Sequence, residues 1–378
     1  MRRLARSSAL LFACLALTAG LVACGSDDNG SGDDPPAGQS AAKVDTSAAE
    51  EAIKPYIGQP SAFPVTEPLN SVKKDATIAF MDCGTPICGL FWDLLQPAAK
   101  TMGVELTRFK AGSAANTVAQ AWDSAVAAKP DAVIAAAIDV ELWKDQLKQL
   151  QDANIPVVTT GILGTEKYGI KAAQAAENAS LVEGKLLADY TVAQFPDAKN
   201  IALYDVPELS FTRLVVEGYQ KELEQMCPDC SVRVVHIPVA TMGTTAPQTV
   251  VSDLQANPDT DLAVYAIDEI QAGLPAALQA AGIKIDSLGN SPSPTQLQYL
   301  KEGKHTAALA VDLPVLGWTL LDQAMRQIVG QELTGDEAKG LSPFQFLRQE
   351  DVTFDPSKGW TGYPDFAERF AKLWGAGS

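Results

Sequence analysis

The chain has 378 residues, 47% of them hydrophobic, so it can bury a sizeable core, and its length suggests two domains. Its formal charge is −17. That balance argues against nucleic acid or anionic lipid headgroups as partners, because both require a basic surface.

In chain order, the first residues set the compartment. Arg2, Arg3 and Arg6 make a basic head, Ala9 to Leu17 an apolar core too short to span as a mature helix, and Leu21-Val22-Ala23-Cys24 follows. A basic head, a short apolar core and small residues before a cut describe a secretory signal. With Cys24 where an Ala-x-Ala site would close, the segment resembles the bacterial lipobox. That implies a signal over residues 1–23 and lipid on Cys24; an ordinary signal peptide with an incidental Cys24 is the alternative. Loss of the three head arginines takes the charge to −20, 26 basic against 46 acidic residues. Gly25 to Ala42 is dominated by Gly, Ser, Asp and Pro with no large apolar residue. Such a composition cannot bury a core. Residues 24–72 are therefore expected to be the lipidated Cys and a flexible linker. No later segment has the run of about 20 apolar residues that a membrane helix needs.

From Asp75 apolar strands alternate with helical patterns. The spacing predicts strands at Thr77 to Met81, Val104 to Phe109, Asp131 to Ile138 and Ile155 to Thr159, with helices at Leu90 to Met102, around Val118 to Val126, and at Leu142 to Leu150. The same beat returns with strands at Asn200 to Tyr204, Val232 to Ile237, Leu262 to Ala266, Lys284 to Leu288 and Ala307 to Val311. Continuous apolar strands alternating with helices mean parallel sheets covered on both faces. The units exceed one open sheet of usual width, so two α/β lobes are expected. A (β/α)₈ barrel needs eight regular units in one ring, and the count here is nearer ten or eleven.

Four cysteines remain after the signal and Cys24, in two close pairs, Cys83 with Cys88 and Cys227 with Cys230. In an oxidising compartment these should be two local disulfides. A thioredoxin-like redox site would place the first Cys of Cys227-Pro228-Asp229-Cys230 at a helix N-terminus after a strand. Here the pair follows the helical pattern Leu214 to Met226 and precedes a strand.

From about Thr77 to Trp374 the order of elements resembles the type I periplasmic binding proteins, in the branch that includes the ribose and other sugar binders. Thr85-Pro86-Ile87-Cys88 stands where that family carries Asn-Pro-Phe-Phe, and Asn154-Ile155-Pro156-Val157 resembles its Ile-Pro-Val strand. Glu177-Asn178 before Gly184 to Tyr190 is close to its first crossover, Arg213 with Gly218-Tyr219 to the opening helix of its second lobe, and Asp268-Glu269 to its Asn-Asp-Glu. Val311-Asp312-Leu313-Pro314 with Gly317 is similar to its second crossover.

The resemblance implies two doubly wound parallel-sheet lobes joined by three crossings, near Asn178, Asp312 and Pro343. Lobe 1 would comprise residues 73–178 and 312–343, and lobe 2 residues 179–311 and 344–378. Ligand would sit in the cleft at the C-terminal strand ends, where open parallel sheets bind, under a hinge closure. It further implies a monomer, a small-molecule ligand, an ABC permease as partner, membrane attachment through Cys24 on the outer face of the cell membrane, no cofactor, no metal and no catalysis.

Residues just past strand ends are the candidate contacts: Thr85, Ile87, Cys88, Asp139, Gly161, Arg213, Met242, Ile267, Asn290 and Asp312. Asp139 and Asp268 also suit helix caps. Asp312 matches a hinge position that contacts sugar in relatives as Gln. Trp92, Trp143 and Trp318 lie on helices, as core aromatics usually do, with Trp318 the best placed to stack on a ligand. The family's Phe-Phe pair is Ile87-Cys88 here, its Asp-Arg pair after the fourth strand is Gly161-Ile162, its second-lobe Arg is Val215, and the Asn before Asp268 is Ile267. The expected ligand is therefore larger and less polar than ribose, aromatic or alicyclic, with one polar end met by Asp312 or Arg213. Two other readings stand beside this one: a ligand sensor for a membrane receptor, and an exported α/β hydrolase. The latter finds no Gly-x-Ser-x-Gly, His-Glu-x-x-His or Gly-rich phosphate loop, and neither His236 nor His305 reads as a general base.

Overall fold

A computed structural model describes residues 45–376 apart from Ser61 and Ser113. The signal, Cys24 and the Gly25 to Ala42 spacer lie outside the described residues.

Helix α1 (Ser47–Ile53) opens the described chain. The first sheet then builds from β1 (Thr77–Asp82), α2 (Pro86–Met102), β2 (Glu105–Lys110), α3 (Ala115–Ala128), β3 (Ala132–Ala136), α4 (Lys144–Asp152), β4 (Val157–Thr160) and β5 (Ala172–Gln174). All five strands are parallel, in the order β2-β1-β3-β4-β5. The central strands β1, β3 and β4 are buried along nearly their whole length, which is why they read as unbroken apolar runs.

The second lobe follows: α5 (Glu177–Gln194), β6 (Asn200–Asp205), α6 (Ser210–Met226), β7 (Ser231–His236), α7 (Ala246–Ala256), β8 (Leu262–Tyr265), α8 (Leu274–Ala281), β9 (Asp286–Asn290), α9 (Pro294–Lys301) and β10 (Ala307–Val311). The chain ends with α10 (Leu313–Ile328), α11 (Gly335–Ala338), β11 (Phe344–Leu347) and α12 (Phe366–Leu373). The second sheet runs β11-β10-β9-β8-β6-β7, with β11 alone antiparallel. From β7 inward its order repeats that of the first sheet from β2 inward. The fold is thus two doubly wound lobes, as the strand pattern predicts.

Local chemistry moves some boundaries. Helix α2 starts at Pro86 rather than Leu90, because proline suits a first helical turn. Strand β3 stops at Ala136 because Ala137 takes a φ of +53°. Helices α5 and α6 touch backbone to backbone: a Cβ on Gly184 would lie 2.1 Å from the Val215 carbonyl oxygen, and one on Gly218 2.4 Å from that of Leu181. Only glycine permits that approach. Both cysteine pairs form disulfides, Cys83–Cys88 and Cys227–Cys230. The second joins the C-cap of α6 to the residue before β7, which is not the setting of a redox motif.

Two assignments need correction. Residues 45–72 are not linker. Ala49 and Ile53 of α1 are buried against α5, and Ile57 bridges Phe346 of β11, both in lobe 2. The chain then passes to lobe 1, where the Leu69 N–H donates to the Leu373 carbonyl at 2.9 Å and the Asn70 N–H to Gln331 Oε1 at 2.8 Å. The reason is apolar content: Ile53, Tyr56, Phe63 and Val65 can bury surface that the upstream Gly/Ser/Asp stretch cannot. Nor does the whole of 344–378 stay in lobe 2. Helix α12 packs on α10 and α2 of lobe 1, with Trp374 stacked on Trp318 at 5.3 Å. The described chain therefore adds two passages between the lobes to the three expected near Asn178, Asp312 and Pro343.

One buried cluster of charges ties these segments together. Arg326, fully buried, has its Nε 2.5 Å from Asp322 and 3.3 Å from Glu337, and it donates to the Glu67 carbonyl. Trp374 Nε1 donates to the other Asp322 oxygen at 2.6 Å. This cluster locks the incoming segment and α12 onto α10.

Glu183 on α5 is buried in lobe 2 and accepts one bond, from Asn290 Nδ2 at 2.7 Å. Burial pushes its carboxyl up to about 7, against the opposing effect of that bond. Between the ordinary value near 4.3 and about 7, the folded chain then holds more protons than the unfolded one, so stability falls as pH rises through this window and is level above it. The Glu183→Gln protein should lose this dependence, worth roughly 3 kcal/mol. Urea unfolding at pH 5 and pH 8 tests it: the gap between the two midpoints should narrow in the variant, and an unchanged gap refutes the assignment.

Candidate functional site

The two sheets turn the C-terminal ends of their strands toward a common cleft. A cavity of about 210 Å³ lies there, walled in lobe 1 by Ala137, Asp139, the 161–164 turn and Lys167, and in lobe 2 by Ser210 and Arg213. Its lobe 1 wall is shaped by left-handed residues. Ala137, at φ +53°, donates its N–H to the Thr160 carbonyl at 3.0 Å, and Gly161, at φ +65°, donates to that of Gln174 at 3.0 Å. Each bond carries the ladder one step past the strand and throws the next loop outward. A non-glycine residue at positive φ costs about 1 kcal/mol or more, and such strain gathers at functional sites.

Asp139 Oδ1 accepts from the Glu141 N–H at 2.9 Å and caps a 3₁₀ turn over Val140–Leu142, so it is both cap and cavity wall. Lys167 lies with its ammonium 4.7 Å from the Tyr168 ring. Tyr168 raises its pKa first, with the charges of Glu141 and Asp139 acting the same way. Arg213 stands in the first turn of α6, where the helix has neither a side-chain cap nor an acid.

On the side toward the hinge a smaller crevice, about 60 Å³, is apolar: Leu90 and Leu94 of α2 face Pro292, Val311, Leu313 and Trp360. Near it the Cys83–Cys88 loop closes over the end of β1. Asp82 there accepts from the Gly84 N–H at 2.8 Å and pairs with Arg108 at 2.6 Å, and Arg108 lies over the Trp92 ring at 5.3 Å. The Thr85 hydroxyl meets Cys83 Sγ at 3.0 Å, and Ile87 packs half-buried on the core. One oxygen of Asp82 and the sulfurs of Cys83 and Cys88 lie within 4.8 Å of one another. Those sulfurs are joined in the disulfide and offer no thiolate to a metal.

Of the candidates, the structure gathers Asp139, Gly161 and Arg213 around one cavity and leaves the rest apart. Asn290 is fully buried, its amide given to Glu183 and, at 3.2 Å, to the Ala266 carbonyl. Ile267 and Met242 pack in the lobe 2 core, and Cys88 is buried. Asp312 is wholly buried and accepts from the Val315 N–H at 3.0 Å, the Gly362 N–H at 2.9 Å and the Thr361 hydroxyl at 2.9 Å. Its polar end belongs to the hinge. Val215 is buried as well, so the substitution for the family Arg changes core and not cleft. Trp318 is enclosed by Phe366, Phe370 and Trp374, and so is no platform. Asp268 is not a cap: it accepts from Gln271 at 2.6 Å and faces His305 Nε2 at 3.3 Å. His305 in turn meets Ser287 Oγ at 2.7 Å, but this Ser–His–Asp set is sealed inside lobe 2, where no substrate could reach it. His236, exposed at the end of β7, pairs with Asp205 at 2.5 Å.

Lys167 is the charged wall residue that sequence reasoning passed over. It lies six residues beyond Gly161, past the strand-end window, and the paired glycines Gly161 and Gly164 are the one sign that this loop folds back over the strand.

Comparison with known proteins fits this geometry. The periplasmic binding protein domain family matches residues 79–332. No curated protein matches the chain in sequence. Among solved structures, an ABC transporter solute-binding protein from Agrobacterium vitis bound with alpha-D-tagatopyranose superposes with a TM-score of 0.63 at 20% identity, over 74% of this chain and 96% of its own. One from Actinobacillus succinogenes with bound D-allose gives 0.63 at 18%, over 74% and 99%. One from Bacillus halodurans with bound myo-inositol gives 0.63 at 19%, over 75% and 98%. At these identities the structures speak for the fold, and the family match covers about two thirds of the sequence. The chain belongs to the periplasmic binding protein family, with the type I two-lobed architecture.

Proposed function

We propose that this chain is an extracytoplasmic solute-binding lipoprotein that takes up a small molecule between its lobes and delivers it to an ABC permease, working as a monomer tethered by lipid on Cys24. The cavity walled by both lobes at the strand ends carries this reading, since a molecule held there touches both bodies and favours their closed arrangement. The ligands of the neighbouring structures, a ketohexose, an aldohexose and a cyclitol, support a solute in the size range of a single ring.

The solute is less polar than those. A site for a free sugar needs donors and acceptors around the ring, because unmatched buried hydroxyls cost affinity. Here Asn290 and Asp312 are bonded within the protein, and Ile162, Leu163 and the apolar crevice at Leu90 and Leu94 border the cleft.

Two experiments address the proposal. Cys24→Ala should release the chain from the membrane or leave it unprocessed; a cleaved Cys24→Ala protein still in the membrane fraction places the anchor elsewhere. In titration calorimetry, free pentoses and hexoses should bind no tighter than the micromolar range, weaker than about −8 kcal/mol. Submicromolar binding of any of them contradicts the less polar ligand.

A further inference from the structure

We propose that the solute carries a carboxylate, received between Arg213 of lobe 2 and Lys167 of lobe 1. This rests on the solute-binding reading of the cleft and names the chemical class that the cleft selects.

The chain carries 46 acidic residues against 29 basic ones, yet the cavity wall holds two cations and one acid. That acid, Asp139, already accepts the Glu141 N–H. Arg213 makes no hydrogen bond, ion pair or ring contact among the described residues; Glu208 and Glu217, the acids nearest in sequence, do not pair with it. It also stands at the positive end of a 17-residue helix whose first turn has no acid. A cation there is disfavoured by the helix dipole. A solute carboxylate would reverse that penalty and occupy the guanidinium fork, whose parallel N–H groups match a planar carboxylate in a way they cannot match a single hydroxyl.

Lys167 completes the arrangement from the opposite wall. Its ammonium is held by the Tyr168 ring and by the field of Glu141 and Asp139, with no carboxylate in direct contact. The remaining wall is Ala137, the 161–164 turn and Ser210, which carry no charge. The two cations repel each other when the lobes approach, and an anion between them turns that repulsion into attraction. A carboxylate therefore favours closure where a neutral ring does not.

The test uses the full-length chain purified in detergent and three matched pairs: cyclohexanecarboxylate with cyclohexylmethanol, benzoate with benzyl alcohol, and galacturonate with galactose. Thermal shifts select binders and calorimetry measures them. The acid of at least one pair should bind at least about tenfold tighter than its neutral partner, and less tightly at high salt. Arg213→Gln and Lys167→Gln should each weaken that acid by about 10- to 100-fold. Lys221→Gln, exposed on α6 and outside the cavity wall, should not weaken it, and the melting temperatures of the Arg213 and Lys167 variants without solute should stay as in the parent, since neither cation is buried. No binding by any acid, neutral partners binding as tightly as acids, or full affinity in Arg213→Gln overturns the assignment. Binding of neutral compounds alone does so while leaving the solute-binding reading in place; a chain that binds neither these compounds nor any wider set of sugars, polyols and aromatic solutes removes both.

Discussion

The carboxylate of Asp312 is the point at which the two lobes are joined. It ends β10 in one lobe and starts α10 in the other, capping the Val315 N–H. Its second oxygen takes the Gly362 N–H and the Thr361 hydroxyl from the last crossing, and its own N–H donates to the Pro343 carbonyl on the one before. Gln59, on the incoming segment, donates to the Gly362 carbonyl at 2.7 Å. Three of the five passages thus meet at one buried residue, and a fourth is tied to its partner Gly362. Burial pushes the Asp312 carboxyl up to about 7 while its three donors oppose the shift. A buried acceptor with three partners gives up much if one is lost, so this knot should stay closed while the lobes swing about it.

What surrounds the knot gives it leverage. The segment from α1 to residue 73 begins on lobe 2 and ends on lobe 1, and α12 makes the same passage at the other end of the chain. Phe63 packs edge-on against Tyr363 and Phe370, and Arg369 covers both Phe63 and Tyr363, so the two added crossings are bound to each other. A hinge of five strands resists twisting more than one of three and leaves mainly opening and closing. The cleft at Arg213 and Lys167 is where such motion is felt.

Much of this fold could be read from residue order alone. The buried strands are unbroken apolar runs because helices cover both faces, and two pairs of cysteines close in sequence leave little choice of partner. What the sequence could not separate is a polar residue that faces the cleft from one that faces inward. Asn290 and Asp312 sit at strand ends as cleft residues do, and only the neighbours Glu183 and Gly362, 107 and 50 positions away, turn them to other uses. Asp139 was legible as a cap because its partner is two residues on. Lobe membership of α1 and α12 was hidden for the same reason: it depends on contacts with α5 and α10 that no local pattern reports. Arg213 was legible by position, whereas its lack of partners is a property of the folded surface alone.

The central claim is that Asp312 fixes the hinge, and the distance between the lobes measures it most directly. Spin labels introduced as non-canonical residues at Lys148 on α4 and Lys221 on α6, both exposed and on different lobes, leave the two disulfides untouched. Pulsed electron resonance should give a narrow distance distribution for the parent chain and a clearly broader one for Asp312→Ala, with each lobe still folded by circular dichroism. Distributions of equal width and position in the two proteins would contradict the account.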